Sequence, residues 1–260
     1  MEGSALLEVR RKGAVRIDCL RSSGPILEDL ANLAMALHYM CRGYSILHAG
    51  GLASGAACAA LLGPPGAGKS SLVLAGARRG MDVVCDEIVP FRMRGVRLDV
   101  PGGSPLVRLD PEALGRAARV PARHGASRRP RRKAAIDVRR HGWRFSGGPW
   151  RLAAVIFLTA RPRRGRFAAR IEPLRPAETL VGLIDQTYNR RMMTAPEWRA
   201  HLRACAAVAR RLPAYRLAVR QGLKNLPRAA ELVETVLART RSGPARRPQT
   251  AARPGSRSAL

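Results

Sequence analysis

"AACAALLGPPGAGKSSLVLAGARRGMDVVCDEIVPF", residues 56–91, carries the clearest architectural pattern of the chain. An apolar run of Ala, Cys and Leu leads into Gly63, and a loop of glycines and prolines follows. Residues 69–80 have the apolar spacing of a helix that closes on Gly80, and a second apolar run ends at Phe91. Short apolar runs bounded by turn residues read as buried strands, and a glycine just past a periodic stretch reads as a helix stop. The order strand, loop, helix, strand is the signature of an α/β domain.

Within that unit, Gly63-Pro64-Pro65-Gly66-Ala67-Gly68-Lys69-Ser70 matches G-x-x-x-x-G-K-[ST]. Small residues let backbone N–H groups approach phosphate oxygens, and the following helix adds the positive end of its dipole. A lysine at the position of Lys69 reaches the β and γ phosphates, and a hydroxyl at that of Ser70 ligates Mg²⁺. The candidate nucleotide-binding residues are therefore Gly63, Pro64, Pro65, Gly66, Ala67, Gly68, Lys69, Ser70 and Ser71. A strand–helix turn with a fortuitous lysine would carry the same letters, so the flanking strand and helix matter.

Such a loop needs a carboxylate at the end of a neighbouring hydrophobic strand. Val83-Val84-Cys85 ends in Asp86 and Glu87, one helix after the loop. "AAVIFLTA", residues 153–160, is a stronger strand but ends without an acid. Asp86 is thus the candidate to hold Mg²⁺ or to take a proton from an attacking hydroxyl, with Ser70 and Glu87 as further metal candidates. Strict alternation would turn Glu87 to the opposite face unless the backbone kinks there. His48, before the loop strand, is a candidate at the phosphate end, although a lone histidine is more often structural.

Outward from this unit, residues 5–20 read as two short strands around Lys12-Gly13, and residues 25–41 as a helix. "YSILHAGGLA", residues 44–53, reads as one strand ending in a glycine turn, and residues 81–91 as a single strand. Further on, residues 177–188 and 196–212 read as helices, 214–222 as a last strand and 227–240 as a final helix. Residues 116–141 hold ten Lys or Arg and read as a solvated basic loop or a docking surface for phosphates or an acidic partner. The expected organisation is 1–45 as N-terminal strands and a helix packing on the core, 46–240 as the P-loop domain, and 241–260 as a flexible basic tail.

Aromatic residues are only 4% of the 260, which disfavours base-stacking platforms for single-stranded nucleic acid. The formal net charge is +29, but only four of the 47 basic residues are lysines (Lys12, Lys69, Lys133 and Lys224). Arginine, alanine, glycine and proline are abundant together, as a GC-rich codon bias would produce, so nucleic-acid binding is not the favoured reading. Five widely spaced cysteines with no C-x-x-C fit reduced thiols in the cytoplasm. No secretory leader or membrane span is expected, and the oligomeric state is left open.

Residues 46–91, with His48, Gly63, Gly66, Gly68, Lys69, Ser70 and Asp86, resemble the catalytic core of the HPr serine kinase/phosphorylase family. Where that family has a second Asp, this chain has Glu87. "RLPAYRLAVRQGLKN", residues 211–225, is similar to the closing segment of short HPr-kinase-like proteins, and a looser likeness runs to about residue 236. The resemblance implies a mixed β-sheet flanked by helices, of the HPr kinase and phosphoenolpyruvate carboxykinase type. It implies ATP, Mg²⁺ and phosphoryl transfer to a serine, with His48 near the site and Asp86 as the base, or as the acid in the reverse phosphorylase direction. About 45 residues precede the core, where the full-length enzymes have a large domain, and the family's Glu-x-x-Gly segment has no clear counterpart. The expected acceptor is therefore a hydroxyl of a protein or peptide, with HPr itself not implied. The alternative is a nucleotide-binding accessory module that presents a basic surface to nucleic acid or an acidic partner with little turnover.

Overall fold

The computed structural model describes residues 5–9, 15–19, 24–109, 134–145, 147–159 and 167–241. An antiparallel hairpin, β1 (Ala5–Val9) and β2 (Val15–Cys19), packs with helix α1 (Gly24–Met40). Next come β3 (Ser45–His48), β4 (Gly50–Ser54), β5 (Ala57–Leu62), α2 (Lys69–Arg78) and β6 (Asp82–Cys85). β7 (Ile88–Arg94), β8 (Arg97–Val100), β9 (Leu106–Leu109) and β10 (Ala134–Asp137) follow. The remaining elements are β11 (Trp150–Leu158), β12 (Ala169–Pro173), α3 (Pro176–Asp185), α4 (Ala195–Arg211), β13 (Ala214–Val219) and α5 (Leu226–Arg241).

Nine strands form one curled, mixed sheet in the order β3-β7-β8-β11-β5-β4-β6, with β13 joining β11 and β12 joining β13. β11 is long enough to serve two partners along one edge: Trp150 and Arg151 pair β8, and Val155 to Leu158 pair β13. β9 and β10 form a separate antiparallel pair. Helices cover both faces, as an α/β sheet requires. On one face α2 and α5 bury Leu72, Val73, Ala229 and Val233 against Leu52, Leu61 and Ile156. On the other, α3 and α4 bury Leu183, Cys205 and Val208 against Ala53, Leu62 and Val155. α1 adds a third, smaller contact at the β3–β7 edge, through Ala36 and Met40 on Ile46 and Ile88. α4 starts at a capping box in which Thr194 N–H donates to Glu197 Oε2 (2.8 Å) and Glu197 N–H returns to Thr194 Oγ1 (3.5 Å).

Two stretches expected as single strands are each two. Residues 44–53 break at Ala49, and the glycines expected as a turn belong to β4 instead. Their role is close approach: a Cβ on Gly50 would lie 2.7 Å from Val73 Cγ2 of α2, so glycine lets that helix settle on the sheet. Residues 81–91 break at Asp86-Glu87, where Glu87 takes φ +84°. The backbone thus kinks where simple alternation would have carried Glu87 to the far face. The basic loop expected over 116–141 is also shorter on its C-terminal side, because residues 134–137 pair with β9 and 138–141 form a 3₁₀ turn. Residues 116–133, and the expected tail from 242 onward, lie outside the described residues. Among the described residues no helix is long and apolar enough to cross a membrane.

Candidate functional site

The topology brings the sequence-predicted residues to one edge of the sheet. β5 and β11 are parallel neighbours, and β6 runs the same way as β5 because both are antiparallel to β4, which lies between them. The chain leaves β5 through α2 toward β6 on one face, and reaches β13 from β11 by way of β12 and then α3 and α4 on the other. The crevice outside the carboxyl ends of β5 and β11 is therefore a topological switch point, where open α/β sheets bind ligands. Gly63 enters this crevice at φ +143°, and a Cβ there would lie 2.6 Å from Leu158 O, so only glycine turns the chain here.

From Gly63 the loop folds back on itself. Ala67 N–H donates to Pro64 O (3.1 Å), and Gly68, in a left-handed conformation, starts α2. Gly68 carries no side chain, so the cap position itself supplies no acceptor to the start of that helix. Lys69 is 8% exposed, and its Nζ donates to Gly63 O (2.7 Å) and, at longer range, to Pro64 O (3.4 Å). A buried ammonium has to be hydrogen-bonded, and the loop's own carbonyls do this. Ser70 and Ser71 are half-buried in the first turn of the helix.

The acids stand at the end of β6. Gly51 pairs with Cys85 and Gly50 with Leu61, which sets Asp86 level with the end of the loop strand. Asp86 is 3% exposed; its Oδ2 accepts from Arg108 N–H (2.9 Å), and its Oδ1 lies 3.6 Å from where a Gly50 Cβ would stand. Glu87 accepts from Asn32 Nδ2 (3.0 Å) and from the Arg108 guanidinium (3.2 Å), which also reaches Asp29 on α1. Arg108 thereby ties both acids of the bend to β9 and α1. A cleft of about 130 Å³ opens beside them, lined by Asp86, Asn32, Met35, Ser104, Leu106 and Arg108.

His48 ends β3 opposite Ile88, so it neighbours the acid bend. Its N–H donates to Gln186 O (2.7 Å), and its ring stacks on Tyr188 at a centroid distance of 6.3 Å. Burial, then the negative charges of Glu87 and Asp29, push the Tyr188 phenol above its ordinary value. Gln186 Oε1 also accepts from Gly63 N–H at 3.4 Å, linking the His48 segment to the loop. Asn32, Arg108, Gln186 and Tyr188 belong to no motif; they are 55, 22 and 123 residues from their partners in the first three cases, so only the fold brings them in.

Behind this segment sits His201 of α4, 2% exposed, with Nε2 2.9 Å from Thr187 Oγ1 and its ring stacked on Trp198. Burial lowers its pKa to about 4. The unfolded chain takes up this proton near the ordinary imidazole value, so the residue's contribution to stability is complete above pH ~6.5, declines as pH falls and levels off below pH ~4. The total change is about 3 kcal/mol, from the difference between those two values. We expect thermal melts of His201→Gln to lack this part of the pH dependence between 6.5 and 4; a slope equal to that of the wild type would remove His201 as its source.

Among the described residues no three His, Cys, Asp or Glu side chains gather as a metal-ligand cluster. Mg²⁺ beside a nucleotide takes only one or two carboxylates, with phosphate oxygens and water completing its shell, so a hydroxyl such as that of Ser70 and a carboxylate such as that of Asp86 are donors of the kind it needs, while Glu87 is engaged by Asn32 and Arg108.

Neither a protein-family model nor a curated protein matches the sequence. Among solved structures, the chain is similar to the HPr(Ser) kinase/phosphatase from Coxiella burnetii, with 16% identity and a TM-score of 0.42 over 76% of this chain and 90% of that one. A likeness of that degree assigns neither family nor activity to this chain.

Proposed function

We propose that the protein is an ATP-dependent kinase of the HPr-kinase-like type, transferring the γ-phosphoryl group to a hydroxyl of a protein or peptide. The observation that carries this reading is the placement of two buried, opposite charges at the carboxyl ends of the two strands that flank β4: Lys69 after the loop that follows β5, and Asp86 at the end of β6. A glycine-rich loop entering an uncapped helix supplies N–H donors for phosphate oxygens. Lys69 would exchange the carbonyls of Gly63 and Pro64 for β and γ phosphate oxygens. Mg²⁺, held by Ser70 and, through water, by Asp86, would supply charge neutralisation on the phosphates.

The acceptor hydroxyl would enter the cleft beside Asp86. Its oxygen forms the new bond to the γ phosphorus, the bond from that phosphorus to the β–γ bridging oxygen breaks, and ADP leaves. The hydroxyl proton passes to Asp86, whose other oxygen stays fixed by Arg108 N–H. Positioning and electrostatics, rather than covalent chemistry, supply most of the acceleration in such a reaction. Glu87 and Asn32 would act by holding Arg108 and α1 against the cleft. Incubation with γ-labelled ATP, Mg²⁺ and serine-containing peptides tests the reading. Label transferred to a hydroxyl is the expected result; tight ATP binding with no transfer to any acceptor would favour the accessory-module alternative.

A further inference from the structure

The short segment that follows α3, residues 186–188, is laid along the open edge of β3. Gln186 O accepts from His48 N–H (2.7 Å), Leu47 and Thr187 form an antiparallel bridge, and Tyr188 N–H donates to Ile46 O (3.1 Å). Gln186 N–H in turn donates to Gly182 O at the end of the helix (3.2 Å), and Thr187 is held from behind by His201. The main chain at Gln186 is therefore fixed on both sides. Its side chain leaves this edge and reaches the first residue of the phosphate loop, where Oε1 accepts from Gly63 N–H (3.4 Å).

That contact also sets the orientation of the carboxamide. Because Gly63 offers a donor, the oxygen faces it, and the Nε2 amino group is left to face another way. An amino group carries two N–H donors and no acceptor, which suits an anion. Gly63 is also the residue whose carbonyl holds Lys69 Nζ, so the carboxamide and the ammonium converge on the same end of the loop. We infer that Gln186 is a phosphate-reading residue, donating through Nε2 to the terminal phosphate of a bound nucleoside triphosphate while its Oε1 keeps Gly63 in register. The inference rests on the nucleotide reading of the loop given above. It also gives the 186–188 segment a role beyond covering a strand edge, since an apolar side chain at 186 would cover it equally well.

Glu and Met at this position separate the two roles. Gln186→Glu keeps the shape and remains an acceptor for Gly63 N–H, so a purely structural residue would tolerate it. Next to a phosphate it would place like charges together. Calorimetric titration with MgATP and MgADP, on the wild type, Gln186→Glu and Gln186→Met, reads the difference. The expected result is about a tenfold or greater loss of MgATP affinity in Gln186→Glu, with a smaller loss for MgADP, at unchanged secondary structure. Gln186→Met, which adds no charge, should lose about fivefold for MgATP and serves alone if the Glu variant does not fold. Wild-type binding of MgATP with equal affinity in both folded variants would overturn this inference and leave the nucleotide site standing. Failure of the wild type itself to bind MgATP would overturn both.

Discussion

Lys69→Ala is expected to lower phosphoryl transfer by about 10²–10³-fold and to leave the fold in place. The ammonium is the one side-chain cation of the loop, it is buried, and it donates to the backbone carbonyls of Gly63 and Pro64. Removing it costs the donor to Gly63 O, worth about 1–2 kcal/mol of stability, which a domain with two large cores tolerates. The effect on the reaction is far larger, because the lysine would meet charge that grows on the β and γ phosphates as the bond breaks. Loss of one such preorganised donor lowers turnover by about 10²–10³-fold. Circular dichroism and thermal melting, measured beside labelled transfer, separate the two effects. Transfer at the wild-type rate by a folded Lys69→Ala protein would remove Lys69 from the mechanism.

Asp86→Asn is the second large effect, and it differs in kind. The carboxamide has nearly the same shape and retains an oxygen for Arg108 N–H, so the turn after β6 should persist. What disappears is the ability to take the acceptor's proton, together with one charge next to the metal position. Loss of a general base lowers the rate by about 10²–10⁴-fold. Nucleotide affinity in the absence of Mg²⁺ should change little, while the Mg²⁺ concentration needed for half-maximal transfer should rise. A variant that transfers normally at saturating Mg²⁺ would reduce Asp86 to a metal ligand.

How far the site was legible in the sequence depended on whether its parts are local. The strand–loop–helix around Lys69 is continuous in the chain, and each residue type there answers a local geometric need, so the pattern was readable. Asp86 was readable because a carboxylate closing an apolar strand is itself a short pattern. The kink at Glu87 was not, because a glutamate at φ +84° contradicts its local preference and persists only where Asn32 and Arg108 hold the side chain. Gly50 and Gly51 misled for a related reason. Glycine signals a turn from local propensity, whereas here a packed helix and strand demand the missing Cβ. Arg108 and Gln186 carry no signal of their own among 43 arginines and many loop residues; their meaning comes from what the topology sets beside them.

In the proposed kinase, the loop from Gly63 to Ser70 would grip the terminal phosphates of a nucleotide beside Asp86. Calorimetric titration of the wild-type protein with ATP, ADP and AMP, each with Mg²⁺, tests it most directly. The expected result is saturable binding of one nucleotide per chain, with affinity falling by about tenfold or more from ADP to AMP as the β phosphate that Lys69 would hold is lost. Equal affinity for all three, or no binding of any, would contradict it.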